Sequence, residues 1–445
     1  MKIQNILLSM MAVAGTLLTG CSDDDAKMPA NPTEPVAVKD ASNDIIYEVN
    51  PRYYGQSNCL AAVSADLDRI AATGANVLWI MPIFEPGIQD AIGSPYCVKN
   101  FKAVNPQFGT LEDAKALVEK AHSKGMTVLF DWVANHTSWD CQWITDHKDW
   151  YTQDASGNIV SPPNTNWTDV AELNYNNAEM RAAMIDAMVY WIDAAGIDGY
   201  RCDNVDGVPV DFWKEAIDAL RAKRSDFYML AESADNNYFA AGFDMKYGWS
   251  FGPALSDLFN GKASPEKFFK TSLDEINSLP EGKKVMRYAI NHDTAAEKSV
   301  AALYGNDKAE EAAMVLAMML DGTPMIYSAQ EIDYTGTIDF FGYSSKTFSS
   351  EKNATLARLS EAYRATQSQR CGELWTYQAG KAVMFARALG SSRVLVIVNP
   401  TSSDITVKTP IEMAMTTMTN AIDGSVASLP VAIELGAYEY RIYYK

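Results

Sequence analysis

The sequence predicts an α/β fold: a closed barrel of eight parallel strands followed by a small antiparallel β domain. Three observations predict it. Strand-like and helix-like stretches alternate eight times between residues 44 and 368. The strand-like runs can be apolar throughout, as in "ANVLWIMPI" at 75–83, which marks strands covered on both faces. From residue 369 the pattern changes to period two, as in "SRVLVIVNP" and "YEYRIYYK". Eight βα repeats favour a closed (β/α)8 TIM barrel over an open sheet.

The elements follow in order. Residues 1–20 carry Lys2, an apolar run too short for a comfortable membrane span, and the ending "LTGC". That ending resembles a bacterial lipoprotein signal and implies lipidation of Cys21. The "SDDD" that follows resembles the acidic tag of surface lipoproteins of the outer membrane. Residues 21–43 are polar and proline-bearing, and are expected to be a flexible tether. Strands are expected at 45–49, 76–83, 126–132, 197–203 and 227–232, and in "FDMKYG", "KVMRYAINHD" and "TPMIYS". Between them, 110–125 predicts a helix with a capping box at Thr110 and Asp113 and a stop at Gly125. Residues 178–196 and 211–224 predict two more. Residues 138–176 follow the third strand without clear periodicity and carry four tryptophans, which predicts a small inserted lobe. Its tryptophans serve equally well as a miniature core or as sugar platforms. Met314, Met318 and Met319 are expected to pack a helix.

Composition narrows the function. The 445 residues are 48% hydrophobic and carry a net charge of −19. A nucleic-acid partner needs a basic face, so it is not expected. A neutral substrate such as a sugar chain meets no such objection. Cys59, Cys97, Cys141, Cys202 and Cys371 have irregular spacing, which is neither a disulfide framework nor a metal pattern. Most are expected to be small buried apolar residues.

Chemistry in such a barrel comes from the C-terminal ends of the strands. The carboxylates there are Asp131, Asp203, Glu232 and Asp293. Their flanks are "DWVANHT" (131–137), "GYRCDNVD" (199–206), "MLAES" (229–233) and "INHDT" (290–294). Arg201 and Asp203 are costly to bury unless they are paired or used. In order and spacing these four segments resemble the sequence regions of the α-amylase family, glycoside hydrolase family 13. "GSPYCVKNFKAVNPQFGT" (93–110) and "GTPMIYSAQEI" (322–332) resemble further family segments. The resemblance implies a (β/α)8 barrel, a lobe after the third strand and a C-terminal antiparallel β-sandwich. It implies Asp203 as nucleophile, Glu232 as acid/base and Asp293 as the aspartate that helps hold the transition state. Arg201 is implied to keep the nucleophile ionised, His136 and His292 to hydrogen-bond the sugar, and Tyr96 to stack under it. Breaking a glycosidic bond with retention needs one attacking carboxylate and one carboxyl that donates a proton.

The resemblance also implies a structural Ca²⁺, with Asn135 and Glu172 as ligands. Yet relatives commonly continue Arg-x-Asp-x-x-Lys-His, and here the last two are Asp206 and Gly207. The expected function is cleavage of α-1,4-glucans, endo-acting because Cys97 stands where exo-acting relatives carry a clamping aspartate. Alternatives are a glucanotransferase, a neopullulanase or α-glucosidase of the same family, and a non-catalytic starch-binding lipoprotein. Starch or malto-oligosaccharides, the membrane and other surface glycan-uptake proteins are the expected partners.

Overall fold

The computed structural model describes residues 43–445. The expected signal segment, nearly all of the tether and the Cys21 lipidation site lie outside the described residues. Eight strands close a parallel barrel in chain order. They are β1 (Ile46–Val49), β2 (Val77–Ile80), β3 (Thr127–Val133), β4 (Gly199–Asp203), β5 (Tyr228–Ala231), β6 (Met245–Tyr247), β7 (Lys284–Arg287) and β8 (Thr323–Tyr327). β1 closes the ring onto β8, with Ile46 beside Met325 and Glu48 beside Tyr327. This is the α/β barrel expected, and the local reasons are the expected ones. All four residues of β2 are buried. The helix Leu111–Ser123 opens on the Thr110–Asp113 capping box and turns Ala114, Leu117, Val118 and Ala121 inward. The helix Ala178–Ala195 is capped by Asn177 and stopped by Gly196 at φ 75°. Met314, Met318 and Met319 are buried on the helix Asp307–Met319.

Two boundaries differ from expectation. The strand expected to run to residue 293 ends at Arg287. Asn291 then caps the helix His292–Glu297 through a reciprocal bond with Thr294, so Asp293 sits on a first helical turn. Asp131 lies inside β3, fully buried, rather than at its end.

After β2 an antiparallel pair, Phe84–Pro86 with Val98–Val104, carries the loop that holds Tyr96. After β3, His136–Ser138 pairs with Val170–Glu172 and closes the inserted lobe. Trp143 and Trp150 are the lobe's miniature core, edge to face at 5.2 Å, while Trp167 is partly exposed beside His136. The C-terminal domain is a six-stranded antiparallel sheet with a two-stranded sheet, Ile405–Lys408 and Ala432–Leu435, on one face. Its strand Ala382–Leu389 is buried on both faces: Val383 and Phe385 join the barrel core, while Met384 and Ala386 join the second core. Cys59, Cys97, Cys141 and Cys202 are buried free thiols.

Candidate active site

The strands' C-terminal ends surround a cavity of about 380 Å³. Its lining includes Tyr96, His136, Asp203, Glu232, His292 and Asp293, contributed by five separate stretches of chain. Arg201 lies beneath them with no exposed surface.

Arg201 is the hub. One terminal nitrogen donates to Asp131 Oδ1 at 2.7 Å and Asp203 Oδ1 at 2.9 Å, and the other lies 2.9 Å from Glu232 Oε1. Its Nε donates to the Tyr247 hydroxyl at 3.1 Å, and its plane faces the rings of Trp79, Tyr96 and Tyr247. Asp131 is tied down further by the indole of Trp79 at 3.0 Å and the hydroxyl of Tyr96 at 3.1 Å. The buried Arg201–Asp203 pair is therefore part of the cleft floor.

The carboxyls differ in their surroundings. Burial lifts Asp203 to about 6, with Arg201 pulling the other way. Burial lifts Glu232 to about 8; Arg201 opposes this, while Asp203 and Asp293 add to it. At neutral pH Asp203 is then the charged partner and Glu232 the protonated one. Asn204 follows β4 in the left-handed region at φ 40°, which aims its N–H at Glu232 Oε2, 2.6 Å away. Strain of this kind in a non-glycine residue persists where the surroundings over-determine it.

Tyr96 and His292 stack at 5.6 Å, with the Tyr96 hydroxyl 3.0 Å from His292 Nε2. His292 Nδ1 meets Glu48 Oε1 at 2.5 Å, and its Nε2 is 3.4 Å from Asp293 Oδ1. Burial alone would lower His292, but Asp293 and Glu48 lift it to about 9. His136 is the reverse case: burial lowers it to about 4, so its ring is neutral. Its Nε2 lies 3.3 Å from the Tyr96 carbonyl and its Nδ1 3.3 Å from the Asn135 amide nitrogen.

Sequence reasoning did not single out several residues here. Glu48, Trp79 and Tyr247 stand on barrel strands and brace the floor. Asp169, Trp249, Phe340 and Phe341 line the cavity from loops, beside Trp167, the one lobe tryptophan of the four expected as core or platform that reaches it. Asp206 lines it too and accepts a hydrogen bond from Ser233 at 2.5 Å.

Asn135 and Glu172 are the residues that would hold the Ca²⁺ implied by the sequence resemblance. Asn135 and Glu172 belong to adjoining segments, with Glu172 beside His136 across the two-stranded pair. The Asn135 amide oxygen is packed onto the backbone: a Cβ at Gly207 would fall 2.3 Å from it. The Glu172 carboxyl is pushed up by burial and steadied by Thr152. Among the described residues no group of three or more His, Cys, Asp or Glu could hold a metal ion. Ca²⁺ takes six to eight oxygens, amide and backbone carbonyl oxygens included, so a site here would draw on more than carboxylates.

Comparison with known proteins decides the family. The model described as "Alpha amylase, catalytic domain" matches residues 39–409. The chain belongs to the α-amylase family. Among curated relatives it is similar to alpha-amylase MalA of Haloarcula japonica, 28% identical over 314 residues, 67% of this chain and 45% of the relative. It is also similar to a cyclomaltodextrinase of Geobacillus thermopakistaniensis, 24% identical over 86% of this chain and 70% of the relative. The chain thus spans less than half the length of MalA. Among solved structures it resembles an α-amylase from Lactobacillus plantarum, with a TM-score of 0.82 and 26% identity over 91% of this chain and 99% of that one. Within the α-amylase family, the departures here are Asp206 and Gly207 after Asp203. The lysine that commonly contacts substrate is replaced by an acid on the cavity wall. The histidine is replaced by a residue with no side chain, and a Cβ there would fall 2.3 Å from the Asn135 amide oxygen.

Proposed function

We propose that this chain is a retaining glycoside hydrolase that cleaves α-1,4-glucosidic bonds within starch-type glucans. The observation that carries the reading is the single buried guanidinium of Arg201, which holds Asp203 and Glu232 side by side at the cavity wall. Glu232 donates its proton to the leaving oxygen while Asp203 attacks the anomeric carbon. A water, deprotonated by Glu232, then releases the sugar from Asp203. Asp293 steadies the positive charge that develops on the sugar, and His292 offers an N–H to its hydroxyls. Tyr96 supplies an aromatic face against the ring.

Internal cleavage is favoured because Cys97 supplies no clamp for a chain end. Its buried thiol donates to the Asp169 carbonyl at 3.3 Å. Ile92 and Trp167 leave the rim apolar and partly exposed, suited to a passing chain. A second reading, α-glucosidase action, draws on Asp169, a carboxylate that does line the cavity. The test is the viscosity of long amylose against reducing ends released. A steep early fall in viscosity per bond cut, with α-anomers as first products, is expected. Glucose from the first minutes with little change in viscosity would favour the second reading, and a β first product would exclude Asp203 as nucleophile.

For location, "LTGC" before the polar tether supports lipid anchoring through Cys21 at the outer membrane. One acyl chain binds a membrane only marginally, so firm attachment calls for more than one. Cys21→Ser should release the protein from the membrane or stall its processing. Normal processing and retention of that variant would refute anchoring.

A further inference from the structure

We propose that Glu48 is a positioning residue for this reaction: it holds His292 as a doubly protonated imidazolium with one N–H facing the sugar site. The proposal rests on reading the cavity as a glycosidase site, but its argument is a count of protons.

Asp131 Oδ1 receives Arg201 and Asp131 Oδ2 receives the Trp79 indole, so both oxygens are acceptors of fixed N–H donors. An aspartate so placed is a carboxylate. The Tyr96 hydroxyl also bonds Asp131 Oδ2, and against a carboxylate it must donate its only proton there. At its contact with His292 Nε2, 3.0 Å away, Tyr96 can therefore only accept. Nε2 must carry a proton. On the other side of the ring, Nδ1 faces Glu48 Oε1 at 2.5 Å; burial pushes the Glu48 carboxyl up while His292 and Arg201 pull it back, and an ionised Glu48 can only accept. Nδ1 must carry a proton too. A neutral imidazole has one N–H, so with Glu48 ionised the network requires the cation.

Glu48 is well placed for this and for little else. It stands on β1 with no exposed surface, and Oε2 has no hydrogen-bond partner among the described residues. An unpaired buried carboxylate is costly, so the ion pair with His292 is its compensation. The groups facing the pair are Asp293 on the histidine's own helix, Arg201 from β4, Asp131 from β3 and Tyr96 from the loop after β2. The phenols of Tyr53, Tyr247, Tyr288 and Tyr327 complete the wall around Glu48. Trp79 and Phe340 set their edges against the histidine ring and fix its plane. The direction of the His292 shift agrees, with Asp293 and Glu48 outweighing burial.

The consequence is a donor that persists across the working pH range. A neutral His292 would keep Nδ1–H on Glu48 and turn a bare Nε2 to the cleft. It would then take a proton from Tyr96 or a sugar hydroxyl instead of giving one.

The chain has four histidines, at 122, 136, 147 and 292. This allows a direct test by NMR titration of histidine-labelled protein, the His292 signal being assigned by its loss in His292→Gln. Wild-type His292 should show both ring nitrogens protonated at pH 7 and titrate above pH 8. In Glu48→Gln that titration should fall by at least about one unit, and kcat/KM should drop more at pH 8 than at pH 6, by about twofold for a one-unit fall and about tenfold for a two-unit fall. Glu48→Asp keeps the charge and should recover most of the titration shift. A neutral wild-type His292 at pH 7, or an unchanged titration in Glu48→Gln, overturns the proposal. If Glu48→Gln does not fold, the wild-type spectrum and Glu48→Asp still decide it. Absence of activity on any α-glucan would defeat the functional reading and leave the titration result standing.

Discussion

One guanidinium among three carboxylates sets the chemistry at the residue scale. Among the described residues, the one cation in contact with all three cannot neutralise Asp131, Asp203 and Glu232 together, so the least compensated acid keeps its proton. That acid is Glu232, at about 8 against about 6 for Asp131 and Asp203. The pH profile of kcat/KM should be bell-shaped, rising as Asp203 ionises and falling as Glu232 loses its proton. Arg201→Lys tests the hub. Lysine keeps the charge but offers one ammonium where two nitrogens of a rigid fork served separate acids. Both limbs should move to higher pH, because each carboxylate loses part of its compensation, and kcat/KM should fall about 100-fold or more. A profile and rate like the wild type would show that the fork is dispensable.

At the scale of elements, what was legible followed from periodicity, and what was not followed from contacts between distant segments. The alternation of strand-like and helix-like stretches located all eight barrel strands, most plainly where a strand buried on both faces reads as an apolar run. The end of β7 was misjudged for a readable reason. "NHDT" at 291–294 is a capping box, and its reciprocal Asn291–Thr294 bonds start a helix that the run "YAINHD" conceals. The strand Ala382–Leu389 suggested period two, yet it carries apolar side chains on both faces because the sheet lies between the barrel and the two-stranded layer. In the site, the acids and histidines were legible through the resemblance of four short segments. Glu48 was not, although an acid inside the apolar run "DIIYEV" is a signal in itself: at a strand end in a barrel it needs a partner. Nothing local could name that partner, which lies 244 positions along the chain. Trp249, Phe340 and Phe341 were equally hidden, because loops deliver them and loops have no period.

The whole molecule stores its site as buried, shifted groups, and this ties catalysis to stability. Between about pH 6.5 and 8 the strongly shifted groups act in one direction. Glu232 stands at about 8, Glu310 at about 7 through burial, and His292 at about 9. In the unfolded chain the same groups titrate near about 4.3, 4.3 and 6.5. Each folded value is the higher, so the folded chain binds more protons than the unfolded one and stability falls as pH rises. For His292 the stabilisation is complete below about 6.5 and is lost as pH rises through its folded value. For the two glutamates the cost of burial grows until the carboxyl ionises in the folded state. His136 has the opposite sign: its folded value of about 4 makes it favour stability with rising pH only up to about 6.5, so it does not offset the others above that point. Asp131 and Asp203, near 6, have mostly finished by then. Each extra proton held is worth about 1.4 kcal/mol per pH unit, so the loss across the interval should be on the order of a few kcal/mol. Calorimetry should show Tm falling steadily from pH 6.5 to 8, with a shallower slope in Glu232→Gln, whose amide has no proton to lose. A Tm that is level or rising over that interval would mean that the carboxyls are compensated in the folded state. The same result would remove the reason for Glu232 to be protonated at neutral pH, and the bell-shaped profile should then fail with it.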